Sequence, residues 1–515
     1  MTFEIVFVLL SLLGMMAALI ADKMRPGMVL FSVVVLFLCA GILTPKEMLE
    51  GFSNKGMITV ALLFLVSEGI RQSGTLGQVI KKLLPQGKTT VFKAQLRILP
   101  SVAFISAFLN NTPVVVIFAP IIKHWAKSVK LPATKFLIPL SYVTILGGIC
   151  TLIGTSTNLV VHGMILEAGY EGFTMFELGK VGIFIAIAGI IYLFIFSKRL
   201  LPDARPDTAV PDEEVEEGEK LHRVEAVLGA RFPGINKKLS DFNFQRHYGA
   251  EVKEIKTRNG QRYVNHLEDV VLREGDTLVV MADDTFIPTW GESSVFVLLT
   301  NGNDPDTSGK KKRWLALILL VLMIVGATVG ELPATKEMFP DIKLDMFFFV
   351  CITTIIMAWT NIFPARKYTK YISWDILITI ACAFAISKAM VNSGVADCVA
   401  GFIIGLSDDY GPHVLLAILF VITNLFTELI TNNAAAALAF PLALSISAQL
   451  GVSPTPFFVV ICMAASASFS TPIGYQTNLI VQGIGNYKFT DFVRIGLPLN
   501  IITFLISVIP VSYTH

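Results

Sequence analysis

The sequence predicts an α-helical polytopic membrane protein: two inverted repeats with re-entrant hairpins and broken helices, plus a small cytoplasmic α/β domain. Of its 515 residues, 54% are hydrophobic and 16% are charged, against roughly 45–50% and 25% in soluble domains. The charge is uneven, because 37 of the 80 charged side chains lie between Asp203 and Arg313. The apolar remainder carries polar breaks at matching positions. These observations indicate a membrane protein interrupted by a polar insert.

Apolar stretches long enough to cross a bilayer, which takes about 20 residues, occur throughout the chain outside the insert. Four further apolar stretches are interrupted by clusters of Asn, Pro, Gly and Thr. A break within the membrane leaves backbone groups unpaired unless it is buried in protein or lines a cavity. The breaks therefore indicate a site. The uninterrupted spans are 3–21, 27–43, 57–80, 175–197, 314–331, 345–361, 374–392 and 493–512, and the interrupted stretches are 94–124, 135–166, 413–448 and 455–484.

The polar insert begins with an acidic, proline-bearing run that is typical of a linker. Segments with strand composition follow at Val224–Leu228, Ala250–Lys256 and Thr277–Met281, and a hairpin signal lies at 258–261. Basic residues flank the insert on both sides, so the positive-inside rule places it in the cytoplasm. The predicted domains are transmembrane repeat 1 (1–200), an acidic linker (201–223), the insert domain (224–298), a linker (299–313) and transmembrane repeat 2 (314–515).

The membrane part contains an internal repeat with a shift of 320 or 321 residues. Three motifs recur in the same order, which chance explains poorly. Broken helices at matching positions of two halves are commonly related by inverted topology, so we expect inversion here. The pairs are Ser67…Ser73-Gly74 with Ser387…Ser393-Gly394, Ser106-x3-Asn110-Asn111-Thr112 with Thr427-x3-Thr431-Asn432-Asn433, and Gly154-x3-Asn158 with Gly474-x3-Asn478.

The breaks offer groups that suit small ions. In 104–122 two short apolar arms flank Asn-Asn-Thr-Pro, which predicts a hairpin whose tip is loosened by Pro113. Amide oxygens, hydroxyls and free carbonyls suit a hard cation such as Na⁺, and helix N-termini suit an oxyanion. The alternative is that Asn and Thr only join helices by hydrogen bonds. Neither a nucleophile elbow nor a P-loop is present, so an enzyme is not predicted. The net charge of +2 suggests no nucleic-acid partner.

The paired tips and loops resemble those of the divalent anion:sodium symporter family, part of the ion transporter superfamily. The loops here are GTSTN at 154–158 and TPIGYQTN at 471–478. The resemblance implies a homodimer in the cell membrane that moves its site by an elevator-type mechanism, with Na⁺ as the coupling ion. It implies one sodium near Ser106, Asn111, Gly154 and Asn158, a second near Thr427, Asn432, Gly474 and Asn478, and an anion touched by Asn110, Asn111, Thr112, Thr155, Thr431, Asn432, Asn433 and Tyr475.

The sequence departs from the family pattern in ways that favour a small tetrahedral anion. Asn110 and Thr431 stand where the family has Ser, and Tyr475 adds bulk to a loop that lacks the family's Pro-Pro. Sulfate is therefore the predicted substrate of a sodium symporter, with a dicarboxylate (succinate, malate or citrate) as the alternative and an anion channel or exchanger as the less favoured one. The insert resembles a TrkA-C (RCK-C) domain at 234–239, 247–250 and 273–278. This implies either a regulatory nucleotide ligand or a dimer-stabilising domain without one.

Overall fold

A computed structural model of the chain shows helices in both halves and one small sheet between them. The acidic linker residues 204–221, the turn residues 258–260 and residues 301–309 of the second linker, for which predictions are made above, lie outside the described part. The structure describes residues 3–21, 24–85, 87–203, 222–229, 231–257, 261–283, 286, 290, 295–300, 310–339, 342–405, 412–472 and 474–514.

The first half forms ten helices within the described residues. Several begin at side chains that accept a backbone N–H, as when Asn54 Oδ1 accepts from Gly56 at 2.7 Å ahead of α4. The helices are α1 (Phe3–Ala21), α2 (Pro26–Cys39), α3 (Pro45–Glu50), α4 (Lys55–Gln72), α5 (Thr75–Leu83), α6 (Val91–Ser106), α7 (Asn111–Ser128), α8 (Leu137–Gly148), α9 (Ser156–Glu167) and α10 (Gly179–Leu200).

The insert contributes the short helix α11 (Phe244–Tyr248), and the second half then repeats the order of the first with one additional short helix, α13 (Pro333–Met338). Helix α12 begins at Lys310, ahead of the predicted start at 314. The remaining helices are α12 (Lys310–Gly330), α13 (Pro333–Met338), α14 (Met346–Trp359), α15 (Tyr368–Tyr371), α16 (Trp374–Asn392), α17 (Val395–Gly405), α18 (Pro412–Leu429), α19 (Asn432–Leu450), α20 (Thr455–Ser466), α21 (Gln476–Gly485) and α22 (Phe489–Thr514).

Seven segments of the described chain are long and apolar enough to cross a membrane, which confirms the predicted fold class. The span predicted at 57–80 is wrong in one respect, because the helix ends at Gln72 and a second helix starts at Thr75. Gly74 turns the chain there with a φ of +71°, a conformation that glycine adopts without a steric penalty. The spans are Phe3–Ala21, Pro45–Gln72, Gly179–Leu200, Lys311–Gly330, Trp374–Asn392, Asn432–Leu450 and Phe489–Ile509.

The sequence repeat corresponds to a repeated arrangement of helices. The break after α4 recurs after α16, where Gly394 has a φ of +76°. The first arm of each predicted hairpin packs against the helix that precedes a loop, so that α6 contacts α8 and α18 contacts α20. The second arms pack across the halves, α7 against α21 and α19 against α9. This exchange brings the tip of each half to the loop of the other half.

The insert folds around a five-stranded sheet of order β3-β2-β4-β1-β5, in which every neighbouring pair is antiparallel. The three strand-like segments of the sequence correspond to β1, β2 and β4, although the second was predicted to begin one residue early, at Ala250. Aromatic side chains of α11 and of the loop before it pack on one sheet face. The strands are β1 (His222–Leu228), β2 (Glu251–Lys256), β3 (Arg262–Tyr263), β4 (Thr277–Ala282) and β5 (Phe296–Thr300).

Candidate functional site

Both hairpin tips are short interruptions between two helices. In the first half, α6 ends at Ser106 and α7 begins at Asn111, with Asn110 at the N-cap. In the second half, α18 ends at Leu429 and α19 begins at Asn432, after the N-cap Thr431. Each interruption frees carbonyl groups at the end of one helix and N–H groups at the start of the next. The tips thus offer the backbone groups that the sequence predicted there.

The two loops share one hydrogen-bond pattern. In the first loop, between α8 and α9, Gly154 N–H donates to Thr151 Oγ1 at 3.2 Å. Asn158 Nδ2 donates to the carbonyl oxygens of Gly148 at 3.4 Å and Thr151 at 2.9 Å. In the second loop, between α20 and α21, each donor and acceptor recurs at a shift of 320 residues. Gly474 N–H donates to Thr471 Oγ1 at 3.2 Å, and Asn478 Nδ2 donates to Ser468 O at 2.9 Å and to Thr471 O at 3.1 Å.

The tips are braced in the same repeated manner. Ser106 Oγ donates to Asn111 Oδ1 at 2.8 Å, and Thr427 Oγ1 donates to Asn432 Oδ1 at 2.9 Å. Each loop also lies against its tip with no room for a side chain. A Cβ on Gly148 would lie 2.7 Å from Asn111 Oδ1 and 3.1 Å from the Gly154 carbonyl oxygen, and a Cβ on Gly474 would lie 2.8 Å from the Thr427 carbonyl oxygen. The residues predicted for each sodium therefore lie together in the structure.

Neutral oxygen atoms of the kind that bind hard cations gather between each tip and its loop. In the first set, Asn158 Oδ1 is buried and has no hydrogen-bond partner within the described residues. A buried acceptor without a partner is unfavourable, and a cation would satisfy it. In the second set, the corresponding atom of Asn478 accepts from Ser141 Oγ at 2.7 Å. The first set therefore fits Na⁺, because Asn158 Oδ1 lacks a partner that a cation would supply. The second set differs, because Ser141 already donates to the corresponding oxygen.

The hydroxyl of Tyr475 lies where both tips meet the first loop. Asn111 Nδ2 donates to it at 2.6 Å, and Thr155 Oγ1 lies 3.2 Å away. The Asn432 side chain also lies near this hydroxyl. The side chain is only 9% exposed. The space between the tips, where the sequence predicts the anion, therefore adjoins the Tyr475 hydroxyl.

The other four predicted anion ligands make contacts of their own. Thr112 Oγ1 donates to Gln476 Oε1 at 3.3 Å, and Asn433 Oδ1 accepts from Ser156 Oγ at 3.3 Å. Asn110 lines a small cavity with Ser67 and Ser156, on the side facing α4. Thr431 Oγ1 accepts from Ala434 N–H at 3.4 Å and so caps α19. The structure thus gathers Asn111, Thr155, Asn432 and Tyr475 at the centre, while Thr112, Thr431 and Asn433 bond to other groups and Asn110 lines the small cavity.

Sequence reasoning missed three residues of the network. Thr151 and Thr471 both lie three residues before the repeated glycine, so the repeat itself was a signal for them. Ser141 gave no signal, because Ile461 stands at the matching position of the second half. Its contact with Asn478 depends on the packing of α8 against α21.

Glu428, next to Thr427, is a carboxylate inside the second half. It accepts from Ser470 N–H at 3.0 Å and from Asn500 Nδ2 at 2.8 Å. Its backbone carbonyl accepts from Thr471 Oγ1 at 3.4 Å. These bonds join α18, the second loop and α22, so Glu428 holds the second loop against the tip.

Comparison with known families agrees with this arrangement. A family model described as a citrate transporter, CitMHS, matches residues 16–444 and, in a second match, residues 338–514. The chain belongs to the CitMHS citrate transporter family. The predicted resemblance to anion:sodium symporters is thereby confirmed, and the chain is a transporter rather than an enzyme.

Relatives of this CitMHS member include proteins of nearly the same extent. "Uncharacterized transporter sll0640" of Synechocystis sp. is 29% identical over 91% of this chain and 90% of the relative. "Probable sodium/sulfate cotransporter 3" of Chlamydomonas reinhardtii is 22% identical over 93% of this chain and 85% of the relative. "Sodium-dependent dicarboxylate transporter SdcS" of Staphylococcus saprophyticus is 25% identical over 28% of each chain. With its apolar helices, the CitMHS member is an integral multi-pass membrane protein.

Proposed function

We propose that the chain is a sodium-coupled symporter of a small divalent anion, with sulfate as the substrate. The observation that carries this proposal is the meeting of four helix starts around the Tyr475 hydroxyl. Asn111 and Asn432 are the first residues of α7 and α19, and Thr155 and Tyr475 are the N-caps of α9 and α21. Helix N-termini carry partial positive charge and free N–H donors, which together favour an anion.

Sodium coupling is supported by the two sets of neutral oxygen atoms that flank this anion site. Asn111 belongs to a predicted sodium site and to the predicted anion site at once, because its Oδ1 faces Ser106 and its Nδ2 faces Tyr475. Asn432 is placed alike: its Oδ1 accepts from Thr427, and its side chain lies near Tyr475. A cation held by the carbonyl oxygen would orient the amide N–H groups toward the anion. Binding of each ion would therefore strengthen binding of the other. The printed name of the Chlamydomonas relative, a sodium/sulfate cotransporter, agrees with this coupling.

The choice of sulfate over a dicarboxylate rests on Tyr475. Its ring fills space between the two tips, and its hydroxyl lies 2.6 Å from Asn111 Nδ2. A compact tetrahedral anion needs only a short span of donors, whereas a dicarboxylate needs two separated groups of donors. The citrate transporter family and the name of SdcS favour the alternative of a carboxylate substrate. Substrate competition distinguishes the two.

The deciding experiment is uptake of labelled sulfate, succinate and citrate into proteoliposomes that contain the purified full chain. We expect sulfate to accumulate against its gradient only when a sodium gradient is imposed, with unlabelled sulfate as the better competitor. Accumulation of succinate or citrate in preference to sulfate would contradict the substrate. Flux that ignores the sodium gradient would contradict coupling and favour a channel or an exchanger.

Replacing Tyr475 tests its place in the anion site. Tyr475→Phe removes the hydroxyl that Asn111 and Thr155 contact, so we expect sulfate uptake to fall about tenfold, the equivalent of one lost hydrogen bond. Tyr475→Ala also removes the ring, and we expect succinate to become a stronger competitor. The readout is the inhibition constant of each anion against labelled sulfate. Unchanged constants in both variants would show that Tyr475 does not limit the site.

We further propose that the protein is a homodimer in which the site moves by an elevator-type mechanism. The insert domain lies in the cytoplasm in this proposal, and its ligand is a nucleotide. A cavity of about 340 Å³ in the insert supports the last point. Its lining includes the ring of Tyr263, which can stack on a base, and the cationic Arg273, which suits phosphate. A shift in the melting temperature of the full chain on adding ATP or ADP would test it, and no shift with any nucleotide would contradict it.

A further inference from the structure

Strand β1 of the insert domain is buried on both faces of the sheet. Along β1, alternate side chains point to opposite faces. Val224, Ala226 and Leu228 pack into the insert's own apolar core. Val227, on the opposite face, packs into the apolar core of the membrane part, and its neighbour Thr277 on β4 is fully buried. The second face is therefore covered by the membrane part of the same chain.

Two helices of the membrane part cover this face, α7 and α21. On α7, Lys123 Nζ lies 3.0 Å from Glu225 Oε2 of β1. On α21, Leu479 contacts Gly275 in the turn before β4, where an added Cβ would lie 3.4 Å from Leu479 Cδ2. One turn further along α21, a Cβ on Gly483 would lie 2.5 Å from Thr277 Oγ1. The contact combines an ion pair with close packing that leaves no room for larger residues.

The ion pair is part of a triad in which Glu225 lies between two lysines. Lys256 Nζ lies 3.4 Å from Glu225 Oε1, and the Glu225 side chain is only 14% exposed. Burial by itself would raise the pKa of Glu225, but Lys123 and Lys256, with Arg223 nearby, outweigh it and lower the pKa from 4.5 to about 2. The stabilisation by the ionised group is complete above its ordinary pKa and is lost as the pH falls toward 2. The triad is therefore intact at neutral pH.

The two helices that cover the sheet, α7 and α21, are among the four that begin at the anion site. Helix α21 starts directly after Tyr475, so Leu479 lies about 6 Å along the helix from it, at 1.5 Å per residue. Helix α7 starts at Asn111, and Lys123 lies on the same helix. The insert is thus linked by two rigid elements to residues that contact each other at the centre of the site.

We propose that the insert domain is a fixed part of the body that carries the anion site: it stays docked on α7 and α21 while the site moves, and it holds Asn111 and Tyr475 in register. The proposal rests on the proposed function, because it assumes that the site moves during transport. Arg273 and Asp276, which belong to the turn that meets α21, also line the insert cavity. A ligand in that cavity would therefore act on the helix that starts at Tyr475.

Covalent locking tests whether the insert stays docked. Lys123→Cys and Glu225→Cys are combined in a full-length chain whose six native cysteines are replaced, and the pair is joined by oxidation or a short bifunctional reagent. We expect efficient cross-linking and sulfate uptake within about twofold of the reduced protein, since a fixed contact needs no opening. Loss of uptake that returns on reduction would overturn the proposal, as would failure to cross-link. Each single-cysteine variant is the control for the reagent.

Charge reversal tests whether docking matters to the site. Glu225→Lys places a third positive charge beside Lys123 and Lys256, so we expect the KM for sulfate to rise at least about fivefold. Glu251→Lys is the matched control, because Glu251 on β2 is 55% exposed and pairs with Lys253 of the same strand. We expect its KM to stay within about twofold of the original. An unchanged or lower KM in Glu225→Lys would overturn the proposal.

A readout that does not involve transport separates this proposal from the proposed function. Gln476 is exposed at the start of α21, so a cysteine placed there can be labelled by a maleimide. We expect Glu225→Lys to change its labelling rate, and Glu251→Lys to leave it unchanged. If the wild-type chain transports none of the tested anions, the proposed function fails, while the labelling rate and the cross-link still decide whether the insert holds α21. Equal labelling rates in all three proteins would overturn the proposal.

Discussion

Asn111→Ala is expected to abolish sodium-dependent sulfate uptake. The Asn111 amide is fully buried and joins Ser106 Oγ to the Tyr475 hydroxyl. Its removal takes away one oxygen of the first cation set and one donor of the anion site. Two buried polar groups lose a partner, at about 1–3 kcal/mol each, so we expect uptake to fall by about a hundredfold or more. Initial uptake rates in proteoliposomes at matched protein density measure the effect.

The control for this variant is Ser101→Ala on the same hairpin arm. The Ser101 hydroxyl donates within its own helix, to Arg97 O at 2.9 Å. We expect its uptake rate to stay close to that of the original chain. Asn432→Ala is expected to resemble Asn111→Ala, because Asn432 accepts from Thr427 in the repeated position. Normal uptake by Asn111→Ala would show that the site lies elsewhere, provided that the variant elutes as a single folded species.

Gly154→Ala is expected to stop transport and to lower thermal stability. A Cβ at this position would overlap the Gly148 carbonyl oxygen, and backbone atoms cannot rotate away as a flexible side chain can. Overpacking of this kind costs about 1–3 kcal/mol, which corresponds to an apparent Tm lower by a few degrees. The displaced loop would also move Asn158 and Thr155 from their positions in the cation and anion sites. Thermal unfolding in detergent and uptake in proteoliposomes measure the two effects.

Gly14→Ala is the matched control, because a Cβ on Gly14 in α1 would meet no atom within 4 Å. An alanine in a helix interior is favoured over glycine, so we expect an equal or higher Tm and full uptake. Gly474→Ala is expected to act like Gly154→Ala, since its Cβ would lie 2.8 Å from the Thr427 carbonyl oxygen. Full activity of Gly154→Ala would mean that the first loop tolerates a larger backbone separation than the structure has.

Much of the architecture could be predicted because its causes are local. Apolar runs of bilayer length predicted spans such as Phe3–Ala21 and Gly179–Leu200, and strand composition between turns predicted the strands β1, β2 and β4. The break at Gly74 was the exception, because the apolar composition continues on both sides of it and only the backbone turn separates α4 from α5. Composition predicts whether a segment lies in lipid or in water. The direction of the chain can change at one residue with a left-handed backbone conformation, such as Gly74.

The candidate site was predictable to the extent that the repeat marks it. The pairs Ser106–Asn111 and Thr427–Asn432 each lie five residues apart, so the sequence could place their members in one tip. The loop threonines Thr151 and Thr471 could have been found from the same repeat. By contrast, Tyr475 meets Asn111 across 364 residues of chain. A contact of that separation depends on how α7 packs against α21, which no local pattern encodes.

The sequence by itself determined that this is a membrane protein of two related halves with a polar insert, and that its polar breaks are built from neutral groups. Only the tertiary structure decided that the tip of each half meets the loop of the other and that the insert lies on α7 and α21. It also decided that Ser141 donates to Asn478 Oδ1, while the matching Asn158 Oδ1 has no partner among the described residues. The physical reason is that hydropathy and helix breaks depend on neighbours along the chain. Hydrogen bonds between halves, and the burial of Glu225 beside Lys123, depend on surfaces that exist only once the helices have packed.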